Sequence, residues 1–376
     1  MGEGPPAEPL VLHVIPSRAA RGAQREARAL ADRLDSPGVR RHRLLVLVDG
    51  AVAEGDQVAA DHAVDPPGGP RSTVGFDPRL VMALRRTIAR LDPALVVAHG
   101  GEPLKYLVPA LWGRRRRRPL AYYAIGTLGT PAHRPVRRTM WRYLIRRPRL
   151  VVAEGTEVLD ECRDLLGVDG DRLVLVANGR DPEEFRPPGP AETGAEATPV
   201  LTFVGALTEQ KRPDRFVALA AALRARQVPF RAVAVGDGPL AESLAVEASA
   251  AGVELTGARP DVAELLKATD VLVFPSLPRG EGMPGVLIEA GLSAVPVVAT
   301  DVPGVRSIVV DGETGLVVDV DDFEALVEGA AALLVDPARR RNMGAAARRR
   351  CSERFSLDAV ASEWRAALVP LLSSVP

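Results

Sequence analysis

Cysteine is nearly missing from this 376-residue chain: Cys162 and Cys351 are two residues far apart, too few for a disulfide framework or the clustered ligands of a structural zinc site. Such usage is expected of a protein kept in a reducing interior. Lysine is almost as rare. Lys105, Lys211 and Lys267 are three of 48 basic residues, the other 45 being arginine, so a lysine in a motif is not the default basic choice. Aromatics make up only 4% and histidines number five. No apolar run approaches the ~20 residues that cross a bilayer, and the start, Met1 to Pro9, is acidic and proline-rich, unlike a signal peptide. The expected location is the cytoplasm, with attachment to a membrane periphery left open. Formal charge sums to zero, although it is unevenly distributed along the chain.

The chain does hold enough apolar residues, 47%, for two cores. Its length exceeds the ~250–300 residues at which a single core stops growing. Short apolar runs alternate with amphipathic stretches, the pattern of parallel sheets wound with helices. Strands are expected at Leu10–Ile15, Arg43–Val48, Ala94–Ala98, Leu120–Ala124, Leu150–Ala153 and Leu173–Val176, then at Val200–Val204, Phe230–Val235, Val271–Phe274 and Val295–Ala299. Between the two sets lies the Pro/Gly/Glu-rich stretch Arg180 to Gly194, which predicts domains over residues 1–194 and 195–355.

Two segments carry chemistry. Pro275 to Gly291 places Glu281 in a Gly/Pro-rich turn and Glu289 eight positions on, with Pro284 between them where a first helical residue is favoured. A helix starting there offers backbone N–H groups around Gly282, Met283, Gly285 and Val286 to an anion such as a diphosphate. The two acids then lie far enough apart to meet different hydroxyls of one extended ligand. Ordinary exposed acids at a helix start would look the same. The second segment, Val200 to Asp214, reads as a strand, a turn at Gly205, and the basic pair Lys211 and Arg212 before a helix. A lysine ammonium there is a compact charge for phosphate oxygens, although both residues also suit a solvated surface.

With Val295–Thr300, Asp301–Gly304 and Asp311–Val318 following, the chain resembles the family-four (glycosyl transferases group 1) retaining glycosyltransferases. Glu281 and Glu289 match that family's paired glutamates. The resemblance implies an α/β GT-B fold, two Rossmann-like doubly wound domains facing each other across a cleft, with a last helix near 356–376 packed back on the first domain. It implies transfer from a nucleoside diphosphate sugar, UDP favoured, to an acceptor hydroxyl of a lipid-linked glycan or a small natural product. Lys211 would bind the diphosphate, Glu289 the ribose, and Glu281 the transferred sugar. Gly205, Arg212, Gly236 and Arg259, the last in the stretch Thr256–Asp261, would lie near the donor, and Gly22 in the loop toward donor phosphates and acceptor. No metal or other cofactor is required on this reading. Two departures stand out. Ala206 occupies a position where the family commonly has arginine, and Tyr122 to Thr127 lacks the family's frequent histidine, with His133 only a distant substitute.

His99, at a strand end before Gly100 and Gly101, suits proton handling or a sugar contact, or equally a hydrogen-bonded structural role. Residues 79–149 hold seventeen Lys/Arg against Asp92 and Glu102. That region suits an anionic membrane or a phosphate-bearing acceptor, and also a plain solvated face. Nucleic acid is not expected, since no recognition module accompanies it. A sugar-nucleotide epimerase or hydrolase, and a non-catalytic sugar-nucleotide or polyanion binder, are the rival functions.

Overall fold

The computed structural model describes residues 8–19, 22–36, 39–48, 57–64, 76–113, 118–127, 135–189, 198–279 and 281–373. His133, Arg134, Arg114 to Arg117, Arg21 and Gly280 lie outside them. Two compact units divide the chain: residues 1–179 with 357–376, and residues 180–356. The boundary thus falls at 179/180 and not near 195. Arg180 to Phe185 are already tied to the second unit, through Arg180 N–H donating to the Phe355 carbonyl at 3.0 Å and Arg348 donating to the Phe185 carbonyl at 3.1 Å.

The first unit is built on a seven-stranded parallel sheet ordered β3-β2-β1-β4-β5-β6-β7. Its strands are β1 (Leu10–Ser17), β2 (Arg41–Val48), β3 (His62–Ala63), β4 (Leu95–His99), β5 (Leu120–Ala124), β6 (Leu150–Ala153) and β7 (Leu173–Leu175). Burial on both faces explains the near-continuous apolar runs. Successive residues face opposite layers. Leu12, Val14, Val96, Ala98, Tyr122 and Val151 pack against helices Pro78–Leu91 and Gly101–Leu111. Val11, Leu95, Val97, Tyr123 and Val152 pack against Leu30 of helix Gly22–Leu34 and Trp364 of helix Leu357–Ser373. The last helix therefore does belong to the first unit. Trp364 is fully buried and meets Tyr123 edge-on, with centroids 5.1 Å apart.

The second unit has a six-stranded parallel sheet ordered β10-β9-β8-β11-β12-β13. These are β8 (Val200–Val204), β9 (Arg231–Val235), β10 (Val253–Leu255), β11 (Val271–Phe274), β12 (Val297–Thr300) and β13 (Gly315–Val318). The short strands β3, β10 and β13 were not expected. β3 (HA) and β10 (VEL) hold two and three residues with a polar one in each, and β13 (GLVV) opens on a glycine after a polar turn, so none presents a bounded apolar run. Cys351 is buried against Gly291, and its thiol is pushed up to about 12 by that burial. Cys162 is also buried and likewise raised to about 12, so both serve as small core residues. Among the described residues no helix is long and apolar enough to cross a membrane.

Replacing Trp364 with Ala removes the largest fully buried side chain of the first unit and is expected to cost about 3–5 kcal/mol. Denaturant unfolding of the full chain checks this, and a loss below 1 kcal/mol would contradict the packing role assigned to the last helix.

Candidate functional site

In a doubly wound sheet, ligands meet the carboxyl ends of the strands where the winding reverses direction. In the second unit that point lies between β8 and β11, the first strand of each winding. The loops after these strands carry Lys211 and Glu281. Lys211 Nζ lies 2.6 Å from Glu281 Oε1, with the glutamate side chain 5% exposed and the lysine 23%. The ammonium also sits 5.1 Å from the Phe274 ring centroid. Residues seventy positions apart are thus paired across the switch point, beyond the reach of any local spacing rule. A buried pair of this kind seldom adds net stability, because two charges lose water.

Backbone contacts lock the neighbouring loops. Gly205 N–H donates to the Val235 carbonyl, Leu207 N–H to the Asp237 carbonyl and Gly236 N–H to the Gly257 carbonyl, each at 2.9 Å. Gly236 has φ 144°, and a Cβ there would collide with the Gly205 carbonyl, so only glycine lets these two strand ends close on each other. Leu277 N–H donates to the Gln210 carbonyl at 2.8 Å and joins the Lys211 loop to the loop after β11. Gly282 and the buried Met283 continue that loop.

Helix Gly285–Leu292 starts between the two acids, with Pro284 as its N-cap residue at φ −71°, ψ 102° and not its first helical residue. Its first turn includes Val286, and Glu289 lies on its second turn. Glu289 Oε1 accepts a 2.7 Å bond from Arg180 Nε, in a pair whose side chains are 17% and 13% exposed. The Arg180 guanidinium packs directly on Gly285, where a Cβ would strike it. A cation at the positive end of a helix is disfavoured. Glu289 offsets that here. Sequence reasoning missed Arg180, since an arginine opening a polar linker carries no signal. Other expected donor residues are engaged differently. Arg212 caps helix Pro213–Ala225 in a left-handed conformation (φ 52°) and pairs with Asp214 at 2.8 Å. Arg259 is fastened to Asp261 at the surface, its Nε 2.8 Å from the carboxylate. Among the described residues, no group of three or more His, Cys, Asp and Glu is placed to hold a metal ion.

The first unit has its own switch point, between β1 and β4. Gly22 is the first residue of helix Gly22–Leu34 after the β1 loop, and His99 ends β4. His99 is one of three buried histidines in a row. His13 Nδ1 lies 2.8 Å from His99 Nε2, and His13 Nε2 lies 2.9 Å from His42 Nδ1. His99 also stacks on Trp364 and meets Tyr123 edge-on, at centroid distances of 6.4 and 5.7 Å. Burial lowers all three imidazoles: His42 to about 4 and His99 to about 3, with His13 well below its usual 6.5. At neutral pH the row is uncharged. His13 and His42 were not singled out from sequence, although His13 interrupts the apolar strand run LVLHVIPS; His42, between Arg41 and Arg43 in RHRLLVLV, carries no such signal.

The profile of the glycosyl transferases group 1 family matches residues 190–350, and that of glycosyltransferase family 4 matches residues 20–184. An alpha-maltose-1-phosphate synthase of Mycolicibacterium smegmatis is 35% identical over 241 residues, which cover 57% of this chain and 61% of the relative. A D-inositol 3-phosphate glycosyltransferase of Nocardia farcinica is 33% identical over 57% of this chain and 51% of its own length. The match thus spans little more than half the length of these relatives. Among solved structures, Anabaena HepE in complex with UDP and glucose superposes with TM-score 0.76 at 20% identity, covering 96% of this chain and 99% of that one. The sucrose-phosphate synthase of Thermosynechococcus elongatus gives TM-score 0.79 at 18% identity, covering 98% and 100%. These likenesses establish two parallel-sheet α/β domains of the GT-B kind.

The histidine row makes stability acid-sensitive in a defined window. In the unfolded chain each imidazole takes a proton near 6.5, whereas in the fold His42 does so near 4 and His99 near 3. The unfolded state therefore binds more protons below 6.5, so stability is complete above that value and falls as the pH drops toward 4. The thermal midpoint should decline through this window, before the carboxylates titrate. A midpoint that stays level between pH 6.5 and 4 would contradict neutral burial of the row.

Proposed function

The chain belongs to the glycosyl transferases group 1 family, and on that premise we propose that it moves a sugar from a nucleoside diphosphate sugar to an acceptor hydroxyl, with retention at the anomeric carbon. The observation that carries this reading is the double pairing at the second sheet's switch point. Each glutamate is neutralised by a cation, Lys211 on Glu281 and Arg180 on Glu289, and a helix N-terminus opens between them. A diphosphate entering there takes both cations as partners and removes the penalty of a guanidinium at a positive helix end. The acids, released, turn to hydroxyls: Glu289 to the ribose, Glu281 to the transferred sugar. Lys211, Arg180 and the N–H groups near Gly285 then stabilise the charge that develops on the leaving diphosphate. With positive charge supplied by side chains and backbone, the mechanism calls for no metal. UDP is the favoured carrier, supported by the nucleotide in the Anabaena complex. The named relatives include a maltose-1-phosphate synthase and an inositol 3-phosphate glycosyltransferase, which favours a small polyhydroxylated acceptor. Acceptor handling is assigned to the first unit.

Replacing Lys211 with Ala should lower kcat by about 10²–10³-fold, as expected for loss of one preorganised charge on a developing anion. Replacing Arg180 with Gln should weaken nucleoside diphosphate binding by about tenfold, the equivalent of ~1.4 kcal/mol. Steady-state kinetics and titration calorimetry separate the two effects. Transfer at the wild-type rate by the Lys211 variant would sink its assigned role.

The basic region also supports peripheral docking on an anionic membrane. Helix Pro135–Ile145 exposes Val136 (84%), Met140 and Tyr143 beside Arg142, Arg146 and Arg147, and Trp112 is 63% exposed close by. Arg147 lies over the Tyr143 and Trp112 rings at 4.6 and 5.4 Å. Aromatic rings with arginines suit a headgroup layer, where each cation near an anionic surface gains ~1 kcal/mol. Salt-sensitive cosedimentation with phosphatidylglycerol vesicles and none with phosphatidylcholine vesicles is expected. Equal retention on both would contradict docking by charge.

A further inference from the structure

A cavity of about 180 Å³ opens at the carboxyl ends of β1 and β4, walled by Ile15, Pro16, Gln24, His99, Gly101 and Glu102 among others. Two wall residues carry buried polar atoms with no hydrogen-bond partner among the described residues, His99 Nδ1 and Gln24 Oε1. These residues are only 3% and 8% exposed. An orphaned polar atom at such depth is costly, and a ligand that completes its bond recovers the loss. The described wall side chains include no cation. Glu102, the one charged group, is held by Lys105 at 2.6 Å. A neutral, hydroxyl-bearing ligand fits these walls better than an anion.

Behind the cavity, the histidine row admits two proton arrangements. His13 is neutral and bonded at both nitrogens, so it donates through one and accepts through the other. If His13 donates from Nδ1, His42 also carries its hydrogen on Nδ1, and His99 presents Nδ1–H to the cavity. If His13 donates from Nε2, all three carry hydrogen on Nε2, and His99 presents a bare Nδ1. Passing from the second arrangement to the first puts one proton on His99 Nδ1, shifts one along each N···N contact, and releases one from His42 Nε2. No imidazole ends up charged. Tyr123, edge-on to His99, is turned away from the exchange: its hydroxyl donates to Asn178 Oδ1 at 2.6 Å and lies 3.2 Å from Glu26 Oε1.

We propose that this cavity binds a hydroxyl of a neutral polyol, and that His13 and His42 are positioning residues that set which form of His99 meets it. The hydroxyl donates its hydrogen to Gln24 Oε1 and accepts from His99 Nδ1–H, which selects the arrangement with all three hydrogens on Nδ1. Identifying the polyol as the acceptor rests on the transferase function proposed for the chain. The polyol site itself rests on the cavity.

The test is two-bond ¹H–¹⁵N spectroscopy of the full chain labelled at histidine, at neutral pH, with glucose, maltose and glucose 1-phosphate as probes. His13, His42 and His99 should be neutral and share one tautomer. Glucose or maltose should drive all three to Nδ1–H, with glucose 1-phosphate weaker, and the response at His99 should disappear in Gln24→Leu and lose its uniformity in His42→Gln. Mixed tautomers in the wild type, no response to either sugar, or a stronger response to the phosphate would overturn the proposal. The wild-type readouts stand even where a variant fails to fold. UDP binding measured on the same sample separates the two readings. Binding without a histidine response overturns the polyol site alone, whereas a response without UDP binding supports the site and overturns its identification as an acceptor site.

Discussion

Everything assigned to the second unit depends on one pair of opposite charges held nearly out of water. Lys211 and Glu281 meet at 2.6 Å where β8 and β11, the central strands of the sheet, diverge into oppositely wound halves. A pair so placed contributes little to stability once desolvation is counted. Its value lies in readiness: the ammonium is fixed in position, already stripped of most water, with a carboxylate that a phosphate can replace. Arg180 and Glu289 repeat the arrangement one turn into the following helix. On the function proposed, two cations held by two acids around a helix N-terminus would make a preorganised anion site that is charge-balanced before its ligand arrives.

Much of this was legible in the sequence, for identifiable reasons. Strands such as Val271–Phe274 and Leu150–Ala153 are continuous apolar runs bounded by turns, and both are buried on each face. Glu281 and Glu289 share one local motif, and Lys211 is conspicuous as one of three lysines. The pairings were not legible. Arg180 reaches Glu289 across 109 positions, and nothing in a Pro/Gly-rich stretch marks its first residue as part of the second domain. The domain boundary was misplaced for the same reason: composition located the polar stretch but not which end of it is tied down. Arg212 was expected near the donor, and its pairing with Asp214, two residues on, is a local contact that the sequence reading did not name.

The first unit follows a different logic. Its switch point carries buried neutral imidazoles beside the ion pair of Lys105 with Glu102, and the three histidines share the sheet face covered by Trp364 and helix Gly22–Leu34. Period-two alternation puts His13 on the same face as Val11 and Ile15, and the parallel register brings His42 and His99 alongside from the flanking strands. A histidine within an apolar strand run is thus a sequence signal. It says that a buried polar partner must exist, without naming it.

The central claim is that the second unit's switch point binds a diphosphate through charge. Calorimetric titration of the full chain with UDP and with uridine, at low and high salt, tests it most directly. UDP should bind, uridine should bind at least ~100-fold more weakly, a gap of ~2.7 kcal/mol, and salt should weaken UDP alone. Equal affinity for the two, or no binding of UDP at either salt concentration, would contradict it.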